Sequence, residues 1–166
     1  MEQVAAHLAN EARVRHLAGD KSSGDDDLFG RSAFNRYYYA TFLIIREGLR
    51  SLHGTWAGLA HKDIPPLLKG EIKKTLKRGL QDAKRLSDGD VVKQCSKAIE
   101  AADELAELTT RAYGVRVTAD YNPEIRVSFN ERGTFSLNAI AVDEAKKWPY
   151  KARALVPAII SAWSQI

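Results

Sequence analysis

A line of cationic side chains runs along the segment from Arg31 to His53 and has the residue types that bind anions. Residues three and four apart lie above one another on a helix, so these side chains share a stripe, with Tyr39 beside it and Glu47 nearby. Guanidinium groups pair with phosphate oxygens, and this excess of cations favours anion binding. For each arginine alone, the ordinary alternative is a solvated face whose stems cover apolar surface. The stripe comprises Arg36, Leu43, Arg46, Arg50 and His53.

The same segment carries an apolar face, which makes it the helix around which the rest of the chain is organised. Apolar periodicity predicts further helices over residues 2–17, from 66 to about 86, and from 91 to about 112. Asp25, Asp26 and Asp27 are suited to cap the organising helix and to complement its dipole. The apolar face comprises Phe34, Tyr38, Phe42, Ile45 and Leu49.

Residues after Gly114 change in pattern. Alternating apolar residues over 125–129 and 134–137, with a turn over 130–133, predict a small hairpin. The tail from 138 to 165 is helical in character, and its prolines, Pro149 and Pro157, should kink or divide it. Its apolar residues could close the open side of a bundle or form a dimer surface.

These elements predict an all-α fold. We expect one domain over residues 1–166, an antiparallel bundle of four or five helices with a small β-hairpin inserted before a kinked C-terminal helix.

Composition restricts the class of protein. The chain has 166 residues, 45% hydrophobic and 28% charged, and its apolar runs are too short to cross a bilayer. Polar residues interrupt any signal-peptide core near the N-terminus, so we expect a cytoplasmic protein without a membrane partner. The lone Cys95 is best interpreted as a small core residue.

The net charge of +4 is concentrated in the segment from Lys69 to Arg85. This basic helix could track phosphates, remain an ordinary solvated surface, or dock an acidic partner. Walker, dinucleotide, HExxH and GxSxG motifs are absent from the sequence, and His7 and His16 are not spaced as a helical metal pair. We predict no cofactor and no metal.

The segment from Arg111 to Pro123, RAYGVRVTADYNP, is more specific. If the preceding helix continues past Gly114, Arg116 and Asp120 are at the spacing of an ion pair, and the aspartate would orient the guanidinium beside Tyr121. In the alternative interpretation, Asp120 and Tyr121 only organise a loop that enters the hairpin.

Together, these segments resemble the HEPN domain family, in the branch where an Arg-x-Tyr-Tyr-Ala helix precedes a histidine segment and an Arg-x-x-Ala-Asp-Tyr motif. The resemblance covers about Ala5 to Trp163 in element order. The matching residues are Arg36, Tyr38, Tyr39 and Ala40, then His61 in GLAHKD, then Arg116, Ala119, Asp120 and Tyr121.

The resemblance implies a bundle of four or five helices, commonly a homodimer, with a polar groove for RNA or a nucleotide. Many relatives are metal-independent RNases with an Arg-x(4-6)-His motif, held by a nucleotidyltransferase-type antitoxin or working within bacterial defence systems. This sequence departs from that motif, because Arg111 and Arg116 lack a downstream histidine and Leu43 stands where some relatives carry one. A formal match from Arg46 to His53 spans a helix end.

Two functional hypotheses follow. The first is an RNA- or nucleotide-binding protein of a defence or toxin-antitoxin module, with metal-independent RNA cleavage as its candidate activity. The second is a non-catalytic dimerising or scaffold subunit of a larger complex, in which Arg116 and Asp120 form a structural ion pair. For the first hypothesis, the candidate catalytic residues are His61, Arg116 and Arg36, and the candidate ligand-binding residues are Tyr39, Arg46, Asp120 and Tyr121.

Overall fold

The computed structural model describes residues 1–19 and 24–166 and is mostly helical. The predicted all-α class with a small β element is confirmed. The predicted loop over residues 20–23 lies outside the described part. The helices are α1 (Glu2–Ala18), α2 (Asp25–Leu52), α3 (Ile64–Leu67), α4 (Lys73–Arg85), α5 (Gly89–Tyr121), α6 (Val142–Ala145) and α7 (Trp148–Trp163).

Shorter elements connect these helices. A single antiparallel sheet has the order β1 (Ser128–Phe129), β2 (Phe135–Leu137) and β3 (Ile140–Ala141). Two 3-10 turns, Gly54–Gly58 and His61–Asp63, precede α3, and a π-helical turn, Leu68–Ile72, joins α3 to α4.

The chain forms two compact units. Unit 1 contains residues 1–41 and 111–150, and unit 2 contains residues 42–110 and 151–166. The single domain over 1–166 stays a prediction.

Unit 1 combines α1, the start of α2, the end of α5, the sheet and α6. The aspartates at 25–27 lie in the first turn of α2, where negative charge complements the helix dipole. Their carboxylates also contact other elements. Asp25 accepts a hydrogen bond from the Arg15 guanidinium at 2.8 Å, and the Asp26 carboxylate lies 3.0 Å from His16 Nδ1. Asp27 accepts a hydrogen bond from the Val127 amide at 2.7 Å. The aspartates therefore connect α2 to α1 and to the chain before β1. The largest buried side chains of unit 1 include Phe34, Tyr38, Val115, Leu137 and Trp148.

The helix predicted to end near Ala112 is longer than expected. α5 continues to Tyr121, because its apolar face continues through the buried Val115 and Ala119. Gly114 lowers helix propensity by about 1 kcal/mol relative to alanine, which is not enough to end a helix that packs on both sides of it. Its continuation places the whole Arg-x-x-Ala-Asp-Tyr segment on a helix.

The sheet has one strand more than predicted. The hairpin of β1 and β2 is confirmed, with Phe129 opposite Phe135. Asn138 and Ala139 have φ of 49° and 61°, which makes the two-residue turn that pairs β2 with β3. The third strand was missed because alanine is an unusual residue at such a turn.

The prolines have milder effects than predicted. The helix expected from Pro66 begins at Ile64, since prolines are accommodated in a first turn where amides lack intrahelical partners. Pro149 similarly occupies the second position of α7, and the tail is divided just before it, between α6 and α7, as predicted. Pro157 lies inside α7 and does not divide it.

Unit 2 combines the rest of α2, the connection through α3 and α4, the start of α5 and most of α7. α2 and α7 pack tightly at Gly48, where any Cβ would overlap Val156. The Trp56 and Trp163 rings pack edge to face, with their centroids 5.7 Å apart. Cys95 is buried, as predicted. The fully buried apolar side chains of unit 2 include Ile45, Ile64, Leu68, Ile72, Leu76 and Leu105.

Candidate functional site

Arg116 is the centre of the candidate residues in unit 1. It lies on the last two turns of α5 and its side chain is only 15% exposed. Its Nε lies 2.8 Å from Asp120 Oδ2, one helical turn later, which confirms the predicted ion pair. Burial lowers the pKa of the guanidinium, but the hydrogen bonds that it donates to Tyr121 and Tyr39 and the Asp120 charge outweigh burial, so the pKa is raised. Arg116 is therefore a fixed cation.

Asp120 is engaged by both of its oxygens. Oδ2 faces Arg116, and Oδ1 accepts a hydrogen bond from Asn35 Nδ2 at 2.5 Å. A carboxylate committed in this way orients the guanidinium and is poorly placed to serve as a base. Asn35 was not predicted, and its 85-residue separation from Asp120 leaves no signal in the sequence.

The tyrosines of unit 1 differ in accessibility. Tyr38 is 1% exposed, and its burial raises the pKa of its hydroxyl. Tyr39 is half-buried, with its ring edge to face with Tyr38 at 5.6 Å. The Arg116 guanidinium lies 5.2 Å from the Tyr121 ring centroid, while that ring is 66% exposed. Tyr121 therefore offers the stacking surface of this cluster.

Arg36 lies on α2, three residues before Tyr39, with its side chain exposed. Within residues 1–19 and 24–166, no carboxylate lies within 4.0 Å of it. It is available to an anion from solution, unlike Arg116.

In unit 2, His61 and Arg46 contact the same aromatic ring. The His61 imidazole stacks on Phe42 with centroids 3.8 Å apart and planes 24° apart. The Arg46 guanidinium lies 5.1 Å from the Phe42 centroid, one turn along α2. His61 and Arg46 are both half-exposed, so a ligand can reach them.

Local structure explains how His61 is held. It begins the 3-10 turn His61–Asp63, which leads directly into α3. Phe42, predicted only as part of the apolar face, also supports both candidate groups. Its spacing of four residues from Arg46 would have indicated the cation-π contact.

The seven candidate residues therefore fall into groups within the two units. Unit 1 brings together Arg116, Asp120, Tyr121 and Tyr39, and it also holds Arg36 on α2. Unit 2 brings together His61 and Arg46.

The described residues contain no cluster of three or more histidine, cysteine or acidic side chains that could hold a metal ion. In the same part of the chain, no helix combines the length and apolar character needed to cross a membrane.

Comparison of the chain with protein-family models, with curated proteins and with solved structures found no match.

Proposed function

We propose that this chain binds RNA and cleaves it without a metal ion, with His61 and Arg46 at the reacting phosphate. The observation that carries this proposal is the packing of His61 and Arg46 against the same Phe42 ring, which restricts both groups while leaving them half-exposed. A proton acceptor and a permanent cation are the two groups that the reaction requires.

In the proposed step, neutral His61 takes the proton of the 2'-hydroxyl as that oxygen attacks the adjacent phosphorus. The new P–O2' bond forms while the P–O5' bond breaks, giving a 2',3'-cyclic phosphate and a 5'-hydroxyl. Arg46 stabilises the charge on the phosphate oxygens, and the leaving 5'-oxygen takes a proton from solvent. No electrons are exchanged, so the reaction needs no redox partner.

The residues of unit 1 supply binding groups in this proposal. Tyr121 stacks on a base, Tyr39 and Asp120 hold Arg116, and Arg36 meets a phosphate. The resemblance to the HEPN family supports this assignment. It adds a homodimer and a nucleotidyltransferase-type antitoxin, or another defence-system subunit, as proposed partners.

The test is cleavage of labelled RNA in EDTA by the wild type and by His61→Ala, His61→Gln and Arg46→Gln. We expect chelator-resistant cleavage that falls about 100-fold or more in the His61 variants, the usual size of a lost acid-base contribution. His7→Ala is the control, because His7 is an exposed histidine on α1. DNA of the same sequence should stay intact, since it lacks the 2'-hydroxyl.

Equal cleavage by the wild type and both folded His61 variants would remove His61 from the reaction. If the folded wild type neither cleaves nor binds RNA, the proposal fails as a whole.

A specific observation favours the second candidate function, the non-catalytic scaffold subunit. Asp120 contacts both the Arg116 guanidinium and the Asn35 amide within unit 1, as a member of a structural network would. Under this alternative a stoichiometric protein co-purifies with the chain, and His61→Ala and Arg116→Ala leave that assembly intact.

A further inference from the structure

The cations of α4 and of the π-helical turn before it divide into paired and unpaired groups. Lys73 Nζ contacts both carboxylate oxygens of Asp103 on α5, at 2.6 and 2.8 Å. This contact fixes α4 against α5. Arg85 is paired with Asp82 within α4.

Among the residues that the structure describes, the unpaired cations of this segment are Lys84, near the end of α4, and a group of four around one depression. All four members of this group are exposed, and within the described residues no carboxylate lies within 4.0 Å of any of them. Cations held near one another without counter-charges repel, so a bound polyanion would reduce this electrostatic repulsion. The members are Lys69, Lys74, Lys77 and Arg78.

These side chains surround an open depression of about 520 Å³. Its lining contains no apolar side chain, whereas a protein docking surface has an apolar centre. Gly70 also lines it, and the position of a Cβ there has no neighbour within 4 Å, so a strand can approach the backbone. The remaining lining residues are Lys69, Lys73, Lys74, Lys77, Arg78 and Gln81.

The π-helical turn contributes to this arrangement. Two of the lining residues, Lys69 and Gly70, lie within this turn, Leu68–Ile72. Such turns are frequent at functional sites. Along α4, Lys74 and Arg78 are one turn apart, a rise of about 6 Å, so they can contact separate phosphates.

Charge is distributed unequally between the units. Unit 1 contains eleven basic and eleven acidic residues, whereas unit 2 contains fourteen basic and ten acidic residues and so carries the whole net charge of +4. The depression is in unit 2, where the field favours an anion.

We propose that this face, defined by Lys69, Lys74, Lys77 and Arg78, binds the sugar-phosphate backbone of RNA. The inference rests on the proposed function for the identity of the ligand and adds a strand-binding surface outside the candidate catalytic group. The contacts are to phosphates, so binding is insensitive to base sequence.

The test measures fluorescence anisotropy of a labelled 2'-O-methyl oligoribonucleotide, which cannot be cleaved, across a series of salt concentrations. The test variant combines Lys69→Gln, Lys74→Gln and Lys77→Gln. The matched control combines Lys93→Gln, Lys97→Gln and Lys151→Gln, exposed lysines of the same unit, so both variants lose the same charge.

We expect the test variant to bind on the order of tenfold or more weakly at low salt, while the control stays near the wild type. A plot of the logarithm of the association constant against the logarithm of the salt concentration has a negative slope. In the test variant this slope should be shallower by about 2, since each of three lost phosphate contacts on a single strand contributes about 0.7.

Other outcomes separate the two proposals. If the wild type binds the oligonucleotide and the two variants bind it with equal affinity, the proposed strand-binding face is wrong, while the proposal of RNA binding stands. No binding by the wild type would overturn the proposed function and this inference with it. Displacement of the oligonucleotide by polyglutamate at equal charge would assign the face to an acidic protein instead.

Discussion

At the scale of single residues, two arginines of α2 show how differently the same side chain is used. Arg31 is 8% exposed and donates hydrogen bonds to the main-chain carbonyls of Thr118 at 2.9 Å, Asn122 at 3.0 Å and Ile125 at 2.6 Å. These carbonyls belong to the end of α5 and the loop after it, where a cation also complements the helix dipole. Arg36, five residues later, is exposed without an acidic partner among the described residues.

Arg31→Met should lower the free energy of unfolding by roughly 3 kcal/mol, because one buried and two part-buried carbonyls lose a charged donor. Arg36→Gln should change it by less than about 0.5 kcal/mol. Urea denaturation of both variants measures the difference. Equal effects would show that Arg31 does not hold the end of α5.

Arg116 shows that a motif residue can be both structural and functional. Its hydrogen bonds to Tyr121 and Tyr39 and its contact with Asp120 account for its raised pKa despite burial, and they restrict its movement. Arg36, which is exposed, is more accessible to a ligand than Arg116.

At the scale of elements, α5 determines whether the candidate residues of unit 1 come together. The Arg116–Asp120 contact requires helical spacing, so it depends on α5 continuing past Gly114. A Cβ at Gly114 would have no neighbour within 4 Å, and the residue has no positive φ.

Gly114→Ala should therefore raise the free energy of unfolding by about 0.5–1 kcal/mol, through higher helix propensity and a less flexible unfolded chain. If α5 instead ended near Ala112, Gly114 would lie at the helix C-terminus, where glycine is favoured, and the same change would lower the free energy of unfolding. Thermal and urea denaturation distinguish these results by sign.

Gly48→Ala supplies the contrasting variant. A methyl group there would overlap Val156 on α7, so we expect a loss of about 1–3 kcal/mol in the same measurements.

At the scale of the whole molecule, buried tyrosines set the behaviour at high pH. Burial raises the pKa of Tyr38, and burial followed by Asp143, Glu2 and Tyr150 raises the pKa of Tyr37. Both hydroxyls stay neutral in the folded chain at pH values where an unfolded tyrosine ionises, near pH 10. Their contribution to stability is complete below about pH 10 and is lost as the pH rises beyond it.

The free energy of unfolding should thus fall above about pH 10, and Tyr38→Phe should reduce the steepness of that fall. Tyr150→Phe, at a 63% exposed position, should change the slope less than Tyr38→Phe, because Tyr150 is only the last of the groups that raise the pKa of Tyr37. Urea denaturation at several alkaline pH values provides the comparison. Identical slopes in all three proteins would contradict a neutral, buried Tyr38.

Much of the architecture and part of the candidate site follow from spacing along the chain. Helical periodicity depends on residues three and four apart, and it predicted α1, α2 and most of α4. It also predicted the Arg116–Asp120 ion pair, which lies within one turn. Hairpin alternation is similarly local and predicted β1 and β2.

Other contacts join positions far apart in the sequence and depend on how elements pack. The Arg31 contacts span 87 to 94 residues and the Asn35–Asp120 bond spans 85, while His61 reaches Phe42 across the connection after α2. The same packing holds α5 together through Gly114. Spacing along one helix cannot encode these contacts, because they arise only when separate hydrophobic faces are buried together.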